Sequence, residues 1–385
     1  MMLQSLTTLL ALGSMASAAP TSMAAARKLL VGGPGQILLA NFDGSSFEIT
    51  GKNQTAGTAP SWMRYKNSTD TLYAVDENSA SLNLFTLGLT GKPDLKYTST
   101  VTGSSGVVFL EFNKAQTRMV GAAYGSAMID VWDVSGDVPK IFKQIPVDGT
   151  LGPGQTAHHP HQALLDPTGR FMIIPDLGGD QLLVLDTKDD KYEITSRQAL
   201  FKGAGPRHGG FITHEKKTFY TVACELSNKV ILFEISYTDT GLAFKEISTQ
   251  STYGAAFPPA NATSAAAGTV VVANNNVDVY ISNRLSGNAT DSIAHFVFDA
   301  QKTSLAFANT VSSGGILPRD MSLSNDGKVM FVANQGGDNG LVALHRCGTT
   351  GNLAPKPLAM KALKELVAPG LEGQANAGPQ FVQEI

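Results

Sequence analysis

The sequence predicts an all-β protein, a seven-bladed β-propeller whose four-stranded antiparallel blades surround a central channel. Three observations carry that expectation. One pattern of sequence recurs at intervals of roughly 50 residues, which is the period of a propeller blade. Within each interval the apolar runs are short and are bounded by Gly, Pro, Asn and Asp, as strands are. The chain also holds 39 Gly and 18 Pro among 385 residues with only 16% charged side chains, a composition suited to many tight turns around a buried core.

The repeats can be taken in order. Blade 1 centres on Lys28-Leu-Leu-Val and Ile37-Leu-Leu-Ala, and ends near Ile49. Blade 2 opens at Pro60-Ser-Trp62 and includes Thr71-Leu-Tyr-Ala-Val-Asp76. Blade 3 holds Val107-Val-Phe-Leu, Arg118-Met-Val-Gly-Ala and Met128-Ile-Asp-Val-Trp132. Blade 4 opens at His159-Pro160-His161-Gln and turns at Asp166-Pro-Thr-Gly169, a hairpin signal. Blade 5 opens at Gly205-Pro206-Arg207-His208 and reaches Glu225-Leu-Ser-Asn228. Blade 6 is the least regular, with Gly268-Thr-Val-Val-Val, Val279-Tyr-Ile-Ser-Asn-Arg284 and Ile293-Ala-His-Phe-Val-Phe298. Blade 7 opens at Leu317-Pro318-Arg319-Asp320 and turns at Asn325-Asp-Gly327. Fourth strands are less distinct, as at Tyr192-Glu-Ile-Thr and Leu242-Ala-Phe-Lys. A closed ring implies that one blade is completed by both ends of the chain. Met360 to Val367 is the one stretch with a helical pattern, and Tyr253 to Gly268 reads as an inserted surface loop.

The amino terminus has the pattern of a secretory signal: Leu3 to Leu12 is mostly apolar and Ala16-Ser-Ala18 resembles a cleavage site. The expected organisation is a signal peptide over residues 1–18 and a single propeller domain over residues 19–385. No run is long enough to span a membrane. Four sequons, at Asn53, Asn67, Asn261 and Asn288, agree with export and predict surface glycans on a secreted protein. Cys224 and Cys347 are the only cysteines, too few for a disulfide framework, and the expectation is two free thiols. No His/Cys spacing suits a metal, and the formal net charge of -3 gives no global attraction for nucleic acid.

The set His159-Pro-His161-Gln, Asp166-Pro-Thr-Gly-Arg170, Gly205-Pro-Arg-His208, Glu225-Leu-Ser-Asn228, Ile281-Ser-Asn-Arg284 and Pro318-Arg-Asp320 resembles the seven-bladed lactonase family. That family includes fungal carboxy-cis,cis-muconate cyclases and propeller-type 6-phosphogluconolactonases, and the resemblance runs from about residue 28 to 345 in order. It implies a site on the channel face with His161 and Glu225 as catalytic groups and Arg207 and Arg284 as substrate clamps. His159, one alternation away, stands as an alternative to His161 and as a substrate-binding residue. Where Cys224 precedes Glu225, the resemblance leads one to expect Asn. Glu225 and Arg284 occupy the same register of neighbouring blades, which supports a shared site.

The residue types suit the chemistry. Guanidinium groups bind carboxylates bidentately, and imidazole exchanges protons near neutral pH. The first expectation is therefore a secreted, cofactor-independent cyclase acting on a small carboxylate-bearing substrate. Alternatives are a 6-phosphogluconolactonase-like hydrolase, with His activating water and Arg stabilising an oxyanion, and a non-catalytic surface glycoprotein in contact with a cell wall or host surface. Arg319 reads as a structural device of the repeat, and His208 and His214 as surface or packing residues.

Overall fold

The computed structural model describes residues 26–54, 59–89, 94–255 and 257–385; the expected signal peptide lies outside them. Seven four-stranded antiparallel sheets are present, one per repeat. Six are consecutive in the chain. Blade 5, for example, runs Pro206–His214, Lys217–Cys224, Lys229–Tyr237 and Leu242–Ser251. The innermost strands of blades 2, 3, 4, 6 and 7 are Met63–Lys66, Val107–Phe112, Leu164–Leu165, Ala266–Val272 and Ile316–Leu323. Blade 1 is composite: the C-terminal strand Phe381–Glu384 supplies its innermost position and pairs with Arg27–Gly33, with Val31 opposite Val382. Both ends of the chain therefore close the ring, as the repeats require.

Each pair of neighbouring blades shares one apolar cluster, so the core is seven slabs and not one sphere. Strand alternation builds this arrangement. Leu29 and Val31 face blade 7 while Leu30 between them faces blade 2. Met172 and Ile174 pack toward blade 3 while Phe171 and Ile173 pack toward blade 5. A strand buried on both faces must be apolar throughout, which explains the unbroken runs in the sequence.

Turn chemistry holds the hairpins. Asp166 accepts hydrogen bonds from the backbone N–H of Thr168, Arg170 and Phe171, and Gly169 takes the positive φ of 81° that the turn needs. Met360 to Val367 departs from its helical pattern. Ala359–Ala362 is the outer strand of blade 7, with Met360 opposite Val342, and only Leu363–Glu365 forms a single 3-10 turn. Completing the blade's hydrogen-bond ladder outweighs weak helix periodicity over so short a stretch. The segment from Tyr253 toward Gly268 is a loop as far as Ala265, and Asn261 is exposed on it. Both cysteines are free; Cys224 is buried and Cys347 half-buried. No helix among the described residues is long and apolar enough to cross a membrane.

Candidate active site

Two repeat positions build the site. The first follows the proline or its equivalent that opens each innermost strand: Ser61, Val108, His161, Arg207, Gly268, Arg319 and Gln380. In blades 3, 5 and 7 the ladder slips at this point, between Val107 and Phe109, Pro206 and His208, and Pro318 and Asp320. Such a bulge re-aims the extra side chain, here Val108, Arg207 and Arg319, toward the channel. The second position lies at or just beyond the end of the next strand: Glu77, Tyr124, Glu225 and Arg284 in blades 2, 3, 5 and 6. Val108, His161, Arg207, Arg319 and these four line one cavity of 320 Å³ in the channel mouth. A wider cleft of 670 Å³ lies between the outer strands of blades 1 and 7, but Glu48 and Lys52 there are solvated.

Charge is concentrated in the channel cavity. Arg207 Nε lies 2.9 Å and Arg284 Nη2 2.8 Å from the same oxygen, Glu225 Oε2. Across the cavity Arg319 makes a bidentate pair with Glu77, its Nη1 donating to Oε1 at 3.1 Å. Three guanidinium groups thus face two carboxylates. Arg207 is only 2% exposed, and burial together with the nearby Arg284 cation lowers its pKa to about 9. Arg207 Nη1, Arg284 Nε and His161 Nδ1 are enclosed without a hydrogen-bond partner in the protein. Buried polar groups in folded proteins are usually paired, so unused guanidinium donors gathered beside a cavity mark a ligand site. Gly268 makes room for Arg284: a Cβ there would stand 3.2 Å from Arg284 Nε, and Arg284 Nη2 donates to the Ala267 carbonyl at 3.0 Å.

The histidines separate clearly. His161 is buried, and burial first, then the Arg207, His208 and Arg319 surroundings, hold its pKa well below the ordinary imidazole value. It is a neutral base at pH 7. His159 is absent from the cavity lining; its ring stacks on Tyr124 at 4.1 Å and its Nδ1 lies 2.9 Å from the Tyr124 carbonyl. The two flank Pro160, which bridges to Asp176, with the His161 N–H donating to the Pro175 carbonyl at 2.9 Å and the Leu177 N–H to the His159 carbonyl at 3.0 Å. The backbone N–H of His159 donates to Asp176 at 2.8 Å, which fixes the segment that presents His161.

Beneath this layer lies a plug one residue further along each strand. Trp62 stacks on Phe109 at 4.0 Å, Phe381 meets Trp62 at 5.2 Å, and His208 lies edge-on to Trp62, Phe109 and His161. His208 is therefore the floor of the site, held through Nδ1 at 3.0 Å from Thr269 Oγ1, while His214 is a surface residue as expected. Arg319, Glu77 and Tyr124 were not singled out in the sequence as site residues. The available signal was positional: Pro318-Arg319 repeats Pro206-Arg207, and Glu77 and Tyr124 share the register of Glu225. Cys224 replaces the amide found at Asn283 and Asn334, which donate to the Thr252 and Ser313 carbonyls; the thiol is buried and its pKa raised by that burial. Among the described residues no group of His, Cys, Asp and Glu could hold a metal ion.

Away from the channel, Asn67, Asn261 and Asn288 are exposed. Asn53 is half-buried and its amide donates to the Leu95 carbonyl at 3.1 Å.

The fold and site define a seven-bladed propeller with a polar, cation-rich channel mouth. The chain belongs to the lactonase family described as a 7-bladed beta-propeller, whose profile matches residues 20–364. It is 30% identical over 323 residues to an Arthroderma benhamiae protein named "Probable 6-phosphogluconolactonase", covering 81% of this chain and 79% of that one. It is 28% identical to the Bacillus subtilis 6-phosphogluconolactonase over 76% of this chain and 80% of that one. The solved Pseudomonas aeruginosa periplasmic gluconolactonase superposes with a TM-score of 0.77 at 20% identity, over 94% of this chain and 99% of that one, which speaks for the fold alone.

Proposed function

We propose that this protein is a cofactor-independent lactone hydrolase acting on a small lactone that carries an anionic group. The observation that carries the reading is the meeting of a neutral, buried His161 with guanidinium donors that the protein leaves unused. The activity named for the Bacillus relative supports hydrolysis.

The chemistry follows from the charges. Water attacks the lactone carbonyl carbon while His161 takes its proton. The carbonyl oxygen gains negative charge, and an adjacent guanidinium already in place stabilises it. The ring C–O bond then breaks, and the imidazolium returns the proton to the departing alkoxide, giving a hydroxy acid. The substrate's own anion offsets the Arg207 and Arg319 charges that depress His161, so binding strengthens the base. Glu225 stays ionised despite its enclosure, because Arg284 and Arg207 hold its pKa down. Its role is accordingly to orient the two arginines rather than to accept a proton. Cyclisation of a muconate would need an acid to protonate carbon; a His161 held neutral favours the basic role and so favours hydrolysis over the cyclase reading.

The test is the rate of acid release from 6-phosphogluconolactone and glucono-δ-lactone, corrected for spontaneous opening, with His161→Ala as comparison. The expected result is acceleration lost in the variant by about 1000-fold. Rates equal to spontaneous hydrolysis with both lactones would refute the reading. We further place the protein outside the cell, on its apolar leader and its exposed sequons.

A further inference from the structure

We propose that Glu77, held by Arg319, is the hydroxyl-recognising wall of the cavity and restricts it to polyhydroxylated lactones. This rests on the lactone-hydrolase reading and adds which face of the substrate each wall receives.

The cavity is electrically lopsided. On the side of blades 5 and 6, Arg207 and Arg284 share the single carboxylate of Glu225 and retain unused donors. On the opposite side Arg319 already has a carboxylate of its own, both of whose oxygens it engages. An anionic substituent is therefore drawn toward Arg207 and Arg284 and repelled from Glu77. That orients the ring, leaving its other edge against blade 2. A carboxylate offers about four lone-pair sites, and the Arg319 fork uses two, so acceptor capacity remains. Only donors can use it, and a lactone ring provides donors only as hydroxyl groups. The adjoining wall includes two residues without side chains, Gly106 and Gly125. Ring substituents thus have room beside Glu77.

The pair is also firmly placed. It links residues 242 positions apart, from blade 7 to blade 2 across the composite blade 1, and the Glu77 N–H donates to the Ala59 carbonyl at 3.1 Å. A hydrocarbon ring pressed against it would desolvate both charges and return no hydrogen bond. Sites built around a substrate hydroxyl reject analogues lacking it by factors that can reach about 10,000.

Two measurements test this in the full-length protein. The first is the ratio of kcat/KM for glucono-δ-lactone to that for δ-valerolactone, which lacks hydroxyls. We expect about 100-fold or more in the native protein, falling at least about tenfold in Glu77→Gln. The second is calorimetric binding of gluconate against hexanoate, both monoanions, in the native protein, Glu77→Gln and Asn78→Phe, the last filling the space next to Glu77 with a larger side chain. Gluconate should bind more tightly only while Glu77 and the space beside it are intact. A ratio and a binding preference unchanged in Glu77→Gln would overturn the proposal and leave the hydrolase reading standing. Glu77-dependent gluconate binding without turnover of 6-phosphogluconolactone or glucono-δ-lactone would uphold the wall and overturn the hydrolase reading.

Discussion

Replacing Asp320 by Asn should abolish a pH dependence of stability that the native protein shows between mild acid and neutrality. Asp320 lies on the innermost strand of blade 7, is 4% exposed, and accepts a hydrogen bond from the Val382 N–H at 3.1 Å. Val382 belongs to the strand that closes the ring, so this carboxyl sits on the closure itself. Burial raises its pKa from 3.8 to about 7, against the opposing effect of two backbone N–H donors and of Arg207 and Arg64. A raised pKa means that the folded state binds a proton where the unfolded chain has lost it. The stabilisation is complete below the unfolded value near 4 and is lost as pH rises through about 7. Between about pH 5 and pH 8 the titration spans roughly two units below the folded value, or about 3 kcal/mol at ~1.4 kcal/mol per unit. Asn keeps an acceptor oxygen for Val382 without a charge to desolvate. Denaturant midpoints at the two pH values should therefore diverge in the native protein more than in Asp320→Asn, and the variant should be the more stable at pH 8. Equal pH dependence in both proteins would refute an ionisable, buried Asp320.

The other expectations concern the site and the surface. The pH profile of kcat/KM should stay flat as pH falls through about 6.5, because His161 is held neutral well below that value; an acid limb at 6.5 would show an unperturbed imidazole. Arg284→Gln should lower kcat/KM by about 100-fold and raise its salt sensitivity little, since the lost guanidinium is buried and paired; steady-state kinetics at two ionic strengths read both effects. Produced in a glycosylating host, the protein should carry glycans at Asn67, Asn261 and Asn288 but not Asn53, whose amide nitrogen is engaged with Leu95; peptide mass mapping after endoglycosidase distinguishes the four. Removing residues 379–385 should lower Tm by tens of degrees, because blade 1 loses its innermost strand and two apolar clusters lose Phe381 and Val382.

Much of the site was legible because a repeat converts position in sequence into position in space. Arg207 and His161 follow the opening proline of their blades, and Glu225 and Arg284 stand at the ends of equivalent strands, Glu225 one residue beyond; all four reach one cavity. Arg319 obeys the same rule, yet its recurrence reads equally well as a device of the fold. What separates the readings is its partner, Glu77, which no local pattern connects to it. His159 and His161 could not be told apart by alternation, since they flank Pro160, which is bridged to Asp176; only the structure shows the first ring stacked on Tyr124 outside the cavity lining. His208 reads from the sequence as a surface or packing residue; it is buried and packed, against His161 at the floor of the site.

The sequence by itself determined the number of blades, the apolar face of each strand and the closure of the ring, because these follow from local periodicity and turn chemistry repeated along the chain. The tertiary structure decided which charges meet and what each titrates at. Those depend on distances across the channel between residues up to 242 positions apart, and on how completely the surrounding blades remove water from Arg207, His161 and Asp320. Burial and cross-channel charge are properties of the closed ring, and no segment of the chain carries them alone.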